Sequence, residues 1–322
     1  MASEELVANT DLVAPSVADR QEEPAVSVID RAKFMAVRAF LFAWARCFSL
    51  KGLYLFGRFF GLCEWLINHR RRRRFHARLR HIYEGKSLSS RHMRRACMNH
   101  FMRVRCDKLF YVIFDKLPKK KILKRIKFHN RQALDEALAM GNGVFVMLSH
   151  HGSHHVAGLL MALMGYKKVA GVRDRKEGSL RRYVQQRYEE TFPEIKSIKV
   201  FFSDAFPRDI YRCIQDGYIL GSAVDVDRNR GSRLKTAPVR IFGREKQFLT
   251  GPVQIALRCG APILQGFVIS KKNFYFHLVV TGPLMDPQAA KDDPECNRQI
   301  LQRYADNIQD HVRTYPDHIS KL

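Results

Sequence analysis

From residue 143 onward, short apolar runs alternate with segments whose hydrophobic residues recur at helical spacing. The run GVFVMLS, bounded by glycine and histidine, is typical of a buried strand. Further predicted strands are KKVAGVR, IKVFF, YILGSAVD, APVRIFG, PILQGFVIS and FYFHLVVTGP. Helices are predicted over residues 156–164, 179–191, 206–215, 251–258 and 287–313. The alternation predicts an α/β fold with a mostly parallel, helix-covered sheet that closes in an antiparallel hairpin.

The pattern changes upstream, where residues 33–68 are rich in Phe, Leu and Trp. Charged side chains interrupt this segment, so none of its apolar stretches reaches the roughly 18 residues that a spanning helix needs. Its helical periodicity favours amphipathic helices lying in a membrane interface. Two alternatives stay open, namely packing on the protein's own core and a single tilted span. The first 30 residues are polar and acidic and predict a disordered tail.

A basic block, HRRRRRFHARLRHIYEG, follows the aromatic segment directly. Basic residues beside an interfacial segment gain about 1 kcal/mol each near anionic lipid. We therefore predict three regions: a tail over 1–30, a helical, membrane-associating region over 31–128, and an α/β domain over 129–322. The predicted membrane-binding residues are Phe56, Phe59, Phe60, Trp65, Arg71, Arg72 and Arg73.

Composition adds a strong charge bias, because 56 Lys and Arg residues face 31 acidic ones, for a net charge of +25. Such a surface attracts polyanions, whether nucleic acid, anionic lipid or an acidic carrier. No helix-turn-helix, finger or RNP pattern is visible, which disfavours nucleic acid. Seven scattered cysteines without a CxxC pair disfavour a disulfide framework and a thiolate zinc site. The N-terminus does not have the pattern of a secretory signal.

The first strand runs into SHHGSHH, which places four histidines within six positions. His150 would lie at the carboxyl end of a strand, where ligands bind in open α/β sheets. A metal site could use histidine pairs four residues apart, with Asp225, Asp227 or His277 as a further ligand. An acid–base site needs one imidazole as base and a second group to orient it. Histidines without a chemical role are the third possibility.

The segment resembles the lipid A biosynthesis lauroyl/myristoyl acyltransferases of the lysophospholipid-acyltransferase-like superfamily, whose signature is often written G-H-F-G-N-W-E. His150 matches the signature histidine, Gly152 its glycine, and His155 stands where the family has an acid. Further blocks between residues 171 and 267 also resemble the family, and the resemblance covers roughly residues 50 to 320. The matching positions there are Arg173, Arg187, Asp225, Asp227, Arg228, Arg230, Phe242, Gly243, Thr250, Gly251, Gly260, Ala261 and Pro262.

The resemblance implies acyl transfer from an acyl carrier protein or CoA thioester to a hydroxyl of a lipid A precursor-like lipid. It implies no metal and no organic cofactor, and the cytoplasmic face of the inner membrane as the location. His150 would be the general base, with Arg173 and amides near Gly152 as oxyanion donors. The full set of implied substrate or oxyanion residues is Gly152, Arg173, Arg187, Asp225, Asp227, Arg228 and Arg230.

One departure affects the mechanism, because a neutral His155 can fix the tautomer of His150 but supplies no negative charge. We expect one of three outcomes. His155 orients His150, a carboxylate such as Asp225 or Asp174 takes over that role, or the protein is a degenerate relative that binds lipid without catalysis. A histidine-ligated metal hydrolase is the more distant alternative.

Overall fold

The computed structural model describes residues 27–83, 89–173, 179–202, 207–225, 235–290 and 292–320. Nine strands form within this part of the chain. They are β1 (Ile126–His129), β2 (Val144–Leu148), β3 (Val169–Arg173), β4 (Lys199–Phe202), β5 (Ile219–Ala223), β6 (Thr236–Ile241), β7 (Arg244–Leu249), β8 (Ile263–Lys271) and β9 (Tyr275–Val280).

Seven of these strands form the central sheet, in the order β1-β9-β8-β2-β5-β3-β4. Strands β8, β2, β5, β3 and β4 run parallel, and β9 returns antiparallel to β8. The mostly parallel sheet and its terminal hairpin confirm the predicted α/β class. Two strands were not predicted, since β1 is only four residues long and β7 has the charged sequence REKQFL. Strand β7 pairs with β6 in a separate hairpin.

Twelve α-helices are present in the same described ranges. They are α1 (Val28–Cys47), α2 (Ser49–Ile67), α3 (His69–Ile82), α4 (Ser90–Ile113), α5 (Lys119–Leu123), α6 (Arg131–Ala139), α7 (Ala157–Leu163), α8 (Ser179–Thr191), α9 (Pro193–Lys196), α10 (Pro207–Gln215), α11 (Gly251–Arg258) and α12 (Pro294–Thr314). Helices α8 and α11 begin and end where the sequence predicts. Helix α12 begins seven residues later than predicted, at Pro294, where the side chain of Asp293 caps its first turn.

The hydrophobic core lies on both faces of the sheet, because successive side chains of a strand point to opposite faces. Val144 and Val146 of β2 pack with residues of α1, α2, α6, α7 and α8. Phe145 and Met147 pack with residues of α3, α10, α11 and α12. Helix α4 contributes to both clusters. The N-terminal helices therefore share their core with the sheet.

Helices α1 and α2 also expose much apolar surface. Most exposed large hydrophobic side chains of the described residues lie on these helices or on the link between them, among them Phe40, Phe42, Phe48, Leu55, Phe59, Phe60, Leu66 and Ile67. Their buried positions, such as Leu41 and Leu53, face the core. No helix in the described ranges is long and apolar enough to cross a membrane. The predicted tail falls largely on residues 1–26, outside the described residues, and α1 already begins at Val28.

The seven predicted membrane-binding residues divide into two groups. Phe59, Phe60 and Arg73 are exposed, whereas Phe56 is half-buried against the ring of Trp44. Trp65 is only 7% exposed and has the guanidinium groups of Arg72 and Arg94 over its ring. Trp65 is thus a packing residue, which corrects its assignment as a membrane contact. The guanidinium of Arg71 is also engaged, with Glu64 at 2.8 Å and the ring of Phe101.

Candidate active site

His150 and Asp225 meet at the carboxyl edge of the sheet because of strand register. Strands β2 and β5 are adjacent and parallel, and Leu148 lies opposite Ala223. Two residues beyond this pair, β2 is followed by His150 and β5 by Asp225. The Nδ1 atom of His150 lies 2.9 Å from Oδ1 of Asp225. The backbone N–H of His150 donates to Oδ2 of the same carboxylate at 2.9 Å. Both carboxylate oxygens therefore hold the one histidine.

The two side chains differ in exposure, which suits a base and its orienting acid. The His150 side chain is 37% exposed, whereas that of Asp225 is 1% exposed. Burial raises the pKa of Asp225, but hydrogen bonds and positive charge from His150 outweigh this effect and leave it below the ordinary value. Asp225 is thus a carboxylate at neutral pH. Since it accepts at Nδ1–H, the lone pair of the imidazole is on Nε2, the nitrogen that a general base uses.

His155 occupies a different environment from the one expected. Its ring packs against the ring of Tyr111 at a centroid distance of 5.5 Å. Burial lowers the pKa of His155 to about 4, so this imidazole is neutral at pH 7. The carboxylate of Asp225 instead occupies the position at Nδ1 of His150. The expectation that His155 orients His150 is therefore wrong in geometry, and the alternative that assigns this role to Asp225 agrees with it.

The loop after His150 is fixed by a glycine and by its own amides. Gly152 has φ +81°, and a Cβ there would lie 2.5 Å from the carbonyl oxygen of Val268. Its N–H donates to the carbonyl of His318 at 2.9 Å, and the N–H of Ser153 donates to that of Val268 at 3.0 Å. These two amides are engaged within the protein. This corrects the expectation that the amide of Gly152 serves as an oxyanion donor.

A cavity of about 710 Å³ opens beside His150. This volume is within the range of about 300–1,000 Å³ typical of small-molecule sites. Much of its wall is apolar, with side chains such as Val146, Leu148, Met161, Val172, Ile198 and Val200. Its polar wall residues include His150, His154, His155, Arg181, Gln185 and Lys235. The imidazole of His150 thus faces a largely hydrophobic cavity.

The predicted arginines are distributed unevenly around this cavity. Arg187 pairs with Glu190 at 2.6 Å and lies over the ring of Tyr183. Helix α8 presents Arg181 and Gln185 to the cavity, whereas Arg187 is not among the residues that line it, and its role in substrate binding stays a prediction. Arg173 is the last residue of β3. Its side chain, like Asp174, Asp227, Arg228, Arg230 and Arg233, lies outside what the structure describes.

The histidines do not form a ligand set within the described part of the chain. No group of three His, Cys, Asp or Glu side chains there could hold a metal ion. His277, one suggested ligand, contacts His129, with 3.1 Å between Nδ1 of His277 and Nε2 of His129. The pair at the sheet edge, with Nδ1 of His150 at 2.9 Å from Oδ1 of Asp225, is suited to proton transfer by an imidazole that a carboxylate orients.

Sequence reasoning missed several residues that surround this pair. The Tyr304 hydroxyl donates to the carbonyl of Leu148 at 2.7 Å, directly before the loop. Asp107 accepts a hydrogen bond from Ser153, and His154 lies in the cavity wall beside His150. Only His154 carried a sequence signal, because it stands inside the histidine cluster. Tyr304 and Asp107 lie on α12 and α4, far from the loop along the chain.

The structure thus combines a mostly parallel α/β sheet with a histidine–aspartate pair that opens onto a largely apolar cavity. Comparison with protein families gives the class of protein. The bacterial lipid A biosynthesis acyltransferase family matches residues 20–316 of this chain, and the chain belongs to that family. Comparison with curated proteins gives no match. Membership of the family indicates an acyltransferase that acts on lipid A-like substrates.

Proposed function

We propose that this protein transfers a fatty acyl chain from an acyl carrier protein or CoA thioester to a hydroxyl group of a lipid A-type glycolipid. The observation that carries the proposal is the His150–Asp225 pair at the mouth of the apolar cavity. The apolar wall suits a fatty acyl chain, because burying it gains about 0.8 kcal/mol per methylene. The imidazole then lies where the thioester end of a bound chain would meet an acceptor hydroxyl.

The reaction requires one protein side chain that accepts a proton and later donates it. No other protein group forms or breaks a covalent bond. Nε2 of His150 takes the proton of the acceptor hydroxyl, and the oxygen attacks the thioester carbonyl carbon. The carbonyl electron pair moves to oxygen and forms a tetrahedral oxyanion. Collapse of this intermediate forms the ester and expels the thiolate, which takes the proton back from the imidazolium. The Asp225 carboxylate stabilises that imidazolium throughout.

Positively charged residues near the cavity suit both substrates, the anionic acceptor lipid and an acidic acyl donor. Arg181 and Lys235 line the cavity, and Arg228 and Arg230 belong to the adjoining segment of the sequence. Arginine and lysine recognise phosphate groups through charge-assisted hydrogen bonds. An acidic carrier protein would be attracted by the same net charge of +25. Arg173, Asp227, Arg228 and Arg230 stay predictions as substrate-binding residues.

We also propose that α1 and α2 bind the cytoplasmic face of the inner membrane. The exposed side chains Phe59 and Phe60 support this, together with the basic helix α3 that follows. Replacing both with serine is expected to weaken cosedimentation with anionic vesicles at least tenfold. The matched control is Met140→Ser, because Met140 is 52% exposed and lies at the end of α6, outside α1 and α2. Equal binding of the Phe59→Ser/Phe60→Ser protein and the control would contradict this surface assignment.

The function is tested by incubating the purified protein with dodecanoyl-acyl carrier protein or dodecanoyl-CoA and a bacterial lipid extract. We expect an acylated lipid product by mass spectrometry, and a loss of about 10²–10⁴-fold in rate for His150→Ala. His129→Ala is the matched control, because His129 contacts His277 away from the cavity. Equal product and thioester hydrolysis in wild type and His150→Ala would overturn the proposal.

A lipid-binding relative without catalysis is the alternative, motivated by His155 at the position of the family acid. It predicts vesicle binding that survives His150→Ala, with no transfer from either donor. The Asp225–His150 geometry favours the enzyme, since the orienting carboxylate is supplied by a neighbouring strand.

A further inference from the structure

His154 is a second imidazole at the reaction centre. Its ring centroid lies 5.0 Å from that of His150, with the two ring planes at 66°. It lines the same cavity as His150. The first turn after the loop, the 3₁₀ segment His154–Val156, fixes its place relative to the base. Sequence analysis gave this residue no separate role.

The protonation of His154 follows from its surroundings. Burial lowers its pKa to about 3, so the imidazole carries one N–H at neutral pH. Its Nδ1 atom is buried and has no hydrogen-bond partner. Burying an imidazole nitrogen without a hydrogen-bond partner costs free energy. We take this cost to be smaller for the nitrogen that carries only a lone pair than for the nitrogen that carries the N–H. We therefore assign the proton to Nε2, the nitrogen that is not among the buried unpartnered atoms.

Acyl transfer also needs a donor for the oxyanion, and the amides of His151, Gly152 and Ser153 are already bonded within the protein. The N–H of His151 donates to Oγ of Ser149 at 3.3 Å. Those of Gly152 and Ser153 donate to the carbonyls of His318 and Val268. The three amides that follow the base are thus engaged inside the protein. His154, in the cavity wall with its ring centroid 5.0 Å from that of His150, brings a further N–H donor to this end of the cavity.

We propose that His154 is a catalytic residue whose neutral imidazole donates its Nε2–H to the thioester carbonyl oxygen as the tetrahedral intermediate forms. This inference rests on the proposed acyl transfer. The two neighbouring rings divide the work, since His150 moves the proton of the acceptor and His154 stabilises the oxyanion without changing its own protonation. A neutral donor suits this role because it polarises the carbonyl and gives up no proton to the leaving thiolate.

Kinetics of two variants test the assignment. His154→Phe keeps a ring and removes the donor, and we expect kcat to fall about 10²–10³-fold. The KM is expected to change less than about threefold, because the interaction forms mainly in the transition state. His154→Gln keeps an N–H donor, and its kcat should be at least tenfold higher than that of His154→Phe. His129→Phe is the control, and thermal unfolding of each variant reports whether it is folded.

A vibrational measurement separates this role from a structural one. The ¹³C=O stretch of a labelled dodecanoyl thioester is recorded without acceptor lipid, bound to His150→Ala protein, whose rate is about 10²–10⁴-fold lower than that of the wild type. We expect the band to lie at lower wavenumber there than in His150→Ala/His154→Phe, because the donor polarises the bond. An unchanged band, or an unchanged kcat for His154→Phe, would overturn the inference while leaving acyl transfer intact. No transfer by wild type would instead overturn the proposed function.

Discussion

The loop from Ser149 to Ser153 has two sides that use similar polar groups for opposite purposes. On the cavity side, a half-exposed histidine is paired with a buried carboxylate, His150 with Asp225. On the core side, the carboxylate of Asp107 accepts hydrogen bonds from Ser153, Ser270 and Arg103. One carboxylate orients a group that reaches solvent and substrate. The other holds the backbone that presents this group.

The core side extends to the end of the described chain. His318 accepts a hydrogen bond at Nε2 from the N–H of Ser270, at 3.1 Å. His151 accepts one at Nδ1 from the N–H of Ser320, at 3.2 Å. The carbonyl of His318 binds the amide of Gly152. The segment after α12 is thus fastened beneath the loop, so that contacts from distant parts of the chain set the position of His150.

A polar network that is buried on all sides stabilises the structure, whereas a network with one exposed member can react with a substrate. The cavity side should therefore respond to mutation mainly in rate, and the core side mainly in stability. Four changes, in order of decreasing expected effect, test this division.

Asp225→Asn should cost the most in rate. The amide NH₂ would donate to Nδ1 of His150, which forces the proton onto Nε2 and removes the base. We expect kcat to fall about 10⁴-fold, as for the analogous change in a serine protease. Measured acyl transfer gives the rate, and thermal unfolding should show a folded protein. A variant that keeps more than a tenth of the wild-type rate would contradict the assignment of Asp225.

Asp107→Ala should act on stability, because it removes the carboxylate that is hydrogen-bonded to Arg103 in a largely buried site and leaves only the carboxylate of Asp317 at 3.9 Å. Breaking a buried ion pair costs about 3–5 kcal/mol, and Arg103 retains the carbonyl of Asp317 as a partner, so we expect about 3 kcal/mol. Chemical denaturation measures the loss. Asp135→Ala is the control, since its ion pair with Arg131 is exposed. An equal change in both variants would contradict the anchoring role.

Gly152→Ala should strain the loop that joins the two sides. The added Cβ would lie 2.5 Å from the carbonyl of Val268, at a residue with φ +81°. We expect a loss of about 1–3 kcal/mol in unfolding free energy, with a reduced rate because His150 is displaced. Gly243→Ala, also at positive φ but with nothing within 4 Å of the added Cβ, separates the close contact from the backbone strain. Equal effects of the two changes would show that the contact contributes nothing.

His311→Phe should change the pH dependence of stability. The His311 ring is stacked on Phe267 at 4.2 Å, and burial followed by the nearby positive charge of His318 lowers its pKa to about 3. Between about pH 3 and 6.5 the unfolded chain binds this proton and the folded chain does not, so stability falls as the pH falls through that window. The groups around His311 include His151, His318, Arg103 and Asp317.

The variant lacks this titration, so its unfolding free energy should fall less steeply on acidification, by up to about 1.4 kcal/mol per pH unit. Unfolding by denaturant at pH 7 and pH 5 measures the difference. His92→Phe, on the exposed start of α4, is the control. Parallel pH curves for wild type and His311→Phe would contradict the neutral, buried state of His311.

Much of the fold could be predicted from hydrophobic periodicity, because a covered parallel strand such as β2 is apolar at nearly every position. The helices that cover the sheet are marked in the sequence by capping residues or turn residues at their ends. The sites that were mispredicted depend on contacts between distant residues. Trp65 is an aromatic residue in an apolar segment followed by basic residues, a pattern typical of a membrane anchor. Packing against Arg72 and Arg94, which the pattern does not reveal, buries its ring. Arg181, which no motif singled out, lines the cavity because α8 presents that side chain to it.

The α/β class, the place of His150 at a strand end and the family resemblance could all be inferred from residue patterns, and the match over residues 20–316 established the family. The group that orients the histidine could be found only from the three-dimensional arrangement of the strands. A motif spaces residues along one chain, whereas hydrogen bonding at 2.9 Å depends on which strands are neighbours and on their register. Because β2 pairs with β5, the carboxylate comes from Asp225, 75 residues away, and not from the position five residues after His150.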